Sequence, residues 1–141
     1  MIIKQISVFV ENKRGRLAEI TKVLEKNNID IRALSIADTK DFGILRLIVN
    51  DPDQTEKILK AEGFTVSLTK VIAIGIDDKP GGLASAMSVL DTHQISVEYM
   101  YAFISRTQET AYVILRVEDN EKALAILEEN NFDIMRSTAI I

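Results

Sequence analysis

Apolar and polar positions divide the chain into alternating strand and helix patterns. Ile6-Ser7-Val8-Phe9-Val10 reads as part of a strand from about Ile3 to Val10. After a polar stretch, Leu17, Ile20 and Leu24 recur at i, i+3 and i+7 with Val23 beside them, which predicts a helix from near Gly15 to Asn27-Asn28 with one buried stripe. Ile29 to Ile36 alternates loosely and reads as a second strand, and Asp38-Thr39-Lys40-Asp41 is hairpin chemistry. Ile44 to Val49 is a third strand with Leu45, Leu47 and Val49 on one face. Asp51-Pro52-Asp53-Gln54 announces a second helix: Asp51 can cap, Pro52 suits the first turn and Gln54 stands where a capping box needs it. That helix buries Ile58 and Leu59 and stops near Gly63, and a fourth strand begins at Phe64. The order is βαββαβ.

The pattern then starts again. A shift of 66 residues places Ile6 on Ile72, Lys13 on Lys79, Gly15 on Gly81, Leu17 on Leu83, Leu24 on Leu90 and Ile29 on Ile95. Beyond the hairpin the shift is 68, with Leu47 on Leu115, Asp51 on Asp119 and Phe64 on Phe132. A register that changes only at a hairpin tip is what duplication leaves, because loop tips absorb insertions. The expected division is residues 1–68 and 69–141. No linker parts the copies, because Phe64 to Ile76 carries no proline and no glycine before Gly75, so they should be held close.

Each βαββαβ unit predicts an antiparallel sheet with both helices on one face, so the fold class is α+β, two ferredoxin-like units in tandem. Tyr99, Tyr101 and Phe103 line one face of the second strand of the second copy, and Met100, Ala102 and Ile104 make its other face apolar too. A strand apolar on both faces is buried on both. Its second cover is expected from the other copy or another chain, which predicts a homodimer.

Composition narrows the function. The 141 residues are 47% hydrophobic and 27% charged, ample for a core. There are no cysteines, so disulfides and thiolate metal sites are excluded. A net charge of −4 and a pI of about 5.1 argue against nucleic acid as a partner. No apolar run approaches the roughly 18 residues of a membrane span, and Met1 to Gln5 runs straight into a strand pattern without a signal-peptide layout, so a cytoplasmic protein without a membrane partner is expected.

The candidate chemistry sits in the two strand-to-helix loops, Lys13-Arg14-Gly15-Arg16-Leu17 and Lys79-Pro80-Gly81-Gly82-Leu83. A glycine there lets the backbone take a conformation that other residues resist, and the first amides of the following helix lack intrahelical partners and face an anion well. Taken alone, a tight turn that merely joins strand to helix is the stronger reading, and the loops lack the P-loop pattern. Arg14 and Arg16 read equally as anion ligands or as plain surface. The single histidine, His93, suits a solvated helix end. Asp77-Asp78 and Glu128-Glu129 lack metal-ligand spacing, and Ser85, Ser88 and Ser96 have no nucleophile elbow. No catalytic set, metal or cofactor is expected.

In both copies the strand, the loop Asp78-Lys79-Pro80-Gly81-Gly82-Leu83 or Asn12-Lys13-Arg14-Gly15-Arg16-Leu17, the helix, and then Gln94-Ile95-Ser96-Val97 or Asn28-Ile29-Asp30-Ile31 resemble the ACT domain pattern, twice over nearly the whole chain. The resemblance implies a regulatory protein that binds a small molecule, usually a free amino acid, at an interface between ACT units. It implies contacts from Asn12, Lys13, Arg14, Gly15, Arg16 and Leu17 and from Asp78, Lys79, Pro80, Gly81, Gly82 and Leu83. Asp30 with Ile31 and Ser96 with Val97 would add strand-two contacts. Arg14 stands where proline is common, and Asp78, Asp30 and Ser96 stand where asparagine is frequent. The alternative is a regulatory subunit that docks on a separate amino-acid biosynthetic enzyme.

Overall fold

The structure, a computed structural model, describes residues 2–38, 41–103 and 110–135. The elements follow in the order β1 (Ile3–Glu11), α1 (Arg16–Lys26), β2 (Ile31–Asp38), β3 (Phe42–Val49), α2 (Pro52–Ala61), β4 (Thr65–Asp77), α3 (Gly82–Thr92), β5 (Val97–Ala102), β6 (Thr110–Val117), α4 (Asn120–Glu129) and β7 (Asp133–Ile134). This is the βαββαβ order twice, in two ferredoxin-like units. Two compact units form, Lys4–Thr69 and Lys70–Ile141 with Met1–Ile3. The strand that closes the first unit and the strand that opens the second are one element, β4.

In the first unit the strand order is β2-β3-β1-β4, and β3 is antiparallel to both β1 and β2. Ile6, Val8 and Val10 of β1 stand with Leu45, Leu47 and Val49 of β3 under Ile20 and Leu24 of α1 and Leu59 of α2. Such side chains contribute about 1.5–3 kcal/mol each when fully buried. The second unit repeats the arrangement with the order β5-β6-β4-β7. Ile72, Ile74, Val113, Leu115 and Val117 pack there against Ala86 and Leu90 of α3 and Leu124 and Leu127 of α4.

The face away from the helices is mixed. Ala33 opposite Ile48, and Ala73 opposite Ile114, are fully buried on it, whereas Phe9, stacked on Phe42 at 4.4 Å, is exposed. Four expectations change. Leu17 is 44% exposed and lines a cavity above the strands instead of packing into the core, so only Ile20 and Leu24 complete the buried stripe. Ile58 is half-buried, and Thr55 joins Leu59 as a buried position of α2. The second strand starts at Ile31, because Asn28 turns the chain with φ 58°. β5 is half-buried rather than buried on both faces, since it pairs with β6 alone and ends a sheet. Ile104, Thr39 and Lys40 lie outside the described residues.

Candidate functional site

The two loops are alike in backbone. Gly15 and Gly81 are the N-caps of α1 and α3, with φ 90° in both and ψ of −12° and −11°. In each loop the residue two before the glycine donates its N–H to the last residue of the preceding strand, Lys13 to Glu11 at 2.8 Å and Lys79 to Asp77 at 2.9 Å. Each glycine carbonyl then accepts from the helix, from Glu19 and from Ser85, both at 3.0 Å. A left-handed φ is where glycine is needed, and a side chain at either position would project into open space.

The other two helices start differently. Asp51 accepts from the Gln54 N–H at the head of α2, and Asp119 accepts from the Lys122 N–H at the head of α4. No side chain caps α1 or α3. The Arg16 and Gly82 N–H groups donate to the Lys13 and Lys79 carbonyls at 3.3 and 3.0 Å, and the next two amides of each helix, at 17–18 and 83–84, stand without a side-chain cap at the end of the helix dipole that favours negative charge.

The first loop carries an ion-pair network. Glu11 lies 2.8 Å from Lys13 Nζ and 3.2 Å from Arg16, and Arg16 also reaches Glu19 at 3.1 Å. The Arg16 guanidinium stands over the Phe64 ring at 5.8 Å. The hydrogen bond from Lys13, and after it that from Arg16, holds the Glu11 carboxyl below its ordinary pKa of 4.5. Glu19 and then Glu11 push the Arg16 pKa up. In the second loop Lys79 and Asp77 stand 3.8 Å apart, both well exposed.

Beside the first loop is a cavity of about 90 Å³ with a mostly apolar lining. Asn12, Lys13, Arg16 and Leu17 form its loop side, and Val10, Ile36 and Leu45 are among its strand residues. Of the six residues implied for this loop, Arg14 and Gly15 do not line it. The strand residues carried no motif: they lie on three strands and meet only through register, Val10 opposite Gly43 and Ile36 opposite Leu45.

Asp30 and Ile31 are elsewhere. Val10 pairs with Gly43 and Gly43 with Asp38, whereas Ile31 pairs with Val49 at the far end of β3. At about 3.3 Å per residue that separates the start of β2 from the loop by roughly 20 Å. Asp30 is paired with Arg32 at 3.3 Å, and its N–H donates to Asn50 Oδ1. In the second unit Ser96 lines a polar groove of about 340 Å³ with Glu98, Glu118 and Lys122, and Val97 opens β5 beside it. Asp78, Lys79, Pro80, Gly81 and Leu83 are exposed and Gly82 is buried. His93 is exposed at the C-cap of α3, where Nδ1 lies 2.8 Å from the Val89 carbonyl.

The model of the family described as ACT domain pair matches residues 1–141. The crystal structure of protein BT0572 from Bacteroides thetaiotaomicron is similar at 42% identity and a TM-score of 0.90, over 96% of this chain and 92% of that one. The ligand-free regulatory subunit of aspartate kinase from Thermus thermophilus is similar in fold, with 16% identity and a TM-score of 0.65 over 91% and 92% of the two chains. The aspartokinase alpha and beta subunits give 17% identity and a TM-score of 0.57 over 91% and 95%. Among curated proteins, none matches this chain.

Proposed function

This chain belongs to the family of ACT domain pairs, and we propose that it is a cytoplasmic regulatory protein that binds a free amino acid and has no catalysis of its own. The observation that carries this reading is the contrast among helix starts. Two helices are closed by aspartate, and the two that follow the glycine loops have no side-chain cap. A ligand carboxylate suits those open amides.

The strand-two contacts then come from a second copy of the chain. One ligand cannot touch both the loop and Asp30 of the same unit across roughly 20 Å. Leu34 and Ile36, 44% and 46% exposed on the edge strand β2, favour such a homodimer. Docking on a separate biosynthetic enzyme is a second reading, favoured by the exposed Phe9, stacked on the half-buried Phe42, on the face away from the helices. Thermal denaturation with each of the twenty amino acids tests the main reading. A ligand at 100 times its Kd should stabilise the protein by about 2.7 kcal/mol. No shift with any of the twenty would remove it.

A further inference from the structure

On the helix side of β3 the side chains run Val49, Leu47, Leu45, and the next position on that face is Gly43. The row ends one side chain short, and the 90 Å³ cavity lies there, lined by Gly43, Val10, Leu17, Ile36 and Leu45. We propose that this cavity takes the side chain of the ligand, and that the ligand is an aliphatic amino acid of the size of valine, leucine or isoleucine. The proposal rests on the amino-acid reading above and names its ligand class.

The lining is the first ground. Leu17 and Ile36 are 44% and 46% exposed, yet they come from a helix and an edge strand to wall one hollow. An aliphatic side chain placed between them takes apolar surface out of water on both partners. A charged side chain would lose its hydration there and find no ionisable group on the strand side of the cavity. Size is the second ground. The cavity equals about three water volumes of the liquid and falls well short of the ~150 Å³ that accepts a benzene ring. A chain of three or four carbons fills it, and a phenyl or indole ring does not enter.

The loop side of the cavity separates an amino acid from a plain hydrocarbon. Glu11, Lys13 and Arg16 stand there with charges of both signs, the lysine and the arginine 2.8 and 3.2 Å from the carboxylate. An apolar hollow beside paired charges suits a zwitterionic head on an aliphatic tail. The second unit carries different side chains at the matching places. Ala111 pairs with Ile76 where Gly43 pairs with Val10, and Ala102 pairs with Val113 where Ile36 pairs with Leu45. The aliphatic preference is thus written in the first unit's side chains.

Titration calorimetry of the intact chain with L-valine, L-leucine, L-isoleucine, L-alanine, L-serine, L-aspartate, L-lysine and L-phenylalanine tests this. One of the first three should bind tightest, at least tenfold more tightly than any of the other five, which is what one or two methylenes are worth in an apolar pocket. Gly43 does not have a left-handed φ, so Gly43→Ala adds a methyl to the cavity without backbone strain. It should weaken leucine at least tenfold relative to valine. Ile36→Ala, at a half-exposed position, should widen the cavity and shift the same ratio the other way. A tightest ligand that is polar, charged or aromatic overturns the inference while amino-acid binding stands. A leucine-to-valine ratio that neither variant moves overturns it too, since the side chain then lies outside the cavity. If Gly43→Ala does not fold, the ratio in Ile36→Ala decides. If none of the amino acids binds, the amino-acid reading fails and this inference with it.

Discussion

The residues with positive φ mark the duplication more sharply than the hydrophobic pattern does. Among the described residues they are Gly15, Asn28 and Gly63, and, at the same places in the second copy, Gly81, Gln94 and Asn131. Gln94, at φ 58°, is the least suited to that conformation, which costs roughly 1–2 kcal/mol for a side chain without asparagine's local hydrogen bonding. Gln94→Asn should therefore stabilise the chain by a few tenths to about 1 kcal/mol, read as a higher urea midpoint at unchanged m-value. An unchanged or lower midpoint would contradict this. Glu11 supplies a prediction in pH. Its carboxyl is held below the ordinary 4.5 by Lys13 first and Arg16 second. A depressed folded pKa stabilises the fold at pH above the unfolded value, and that contribution is lost as pH falls through the lowered folded value. Carboxyl NMR should find Glu11 titrating below 4.5, and Lys13→Ala or Arg16→Ala should each move it upward. A midpoint that neither substitution moves would contradict the network.

At the scale of elements, the helix starts separate structural ends from open ones. Asp51 and Asp119 each satisfy one amide, and replacing either by alanine should cost about 1 kcal/mol in chemical denaturation. If neither does, the capping contrast loses its energetic meaning. Asp51 as a cap was legible from Asp-Pro ahead of an apolar run, and so were the strands and the repeat. The fate of Leu17 was not. Periodicity places it on the stripe with Ile20 and Leu24, but a helical pattern does not say that a cavity separates the first turn from the strands beneath it. The cavity was half legible: its loop side follows from the motif, whereas Val10, Ile36 and Leu45 come together only through strand register.

At the scale of the whole molecule, each unit leaves an apolar strip on an edge strand. Leu34 and Ile36 lie on the helix side of β2 and are 44% and 46% exposed, and Tyr99, Met100 and Tyr101 of β5 are half-buried. A second copy covering such a strip would also bring a strand-two start toward a loop. Light scattering at micromolar concentration should find twice the 15.8 kDa chain mass, and a single-chain mass would remove the dimer. Asp30→Ala or Ser96→Ala should weaken binding by about 0.5–1.5 kcal/mol, the worth of one polar contact. Whichever of the two leaves affinity unchanged is not a ligand contact. The most direct test of the central claim is titration calorimetry of the amino acid that stabilises the chain most, against the parent protein and Gly15→Val. The parent should give a saturable isotherm, and the variant, folded by circular dichroism, should bind at least tenfold more weakly, about 1.4 kcal/mol. Equal affinity in the two proteins would mean that the first loop is only a turn.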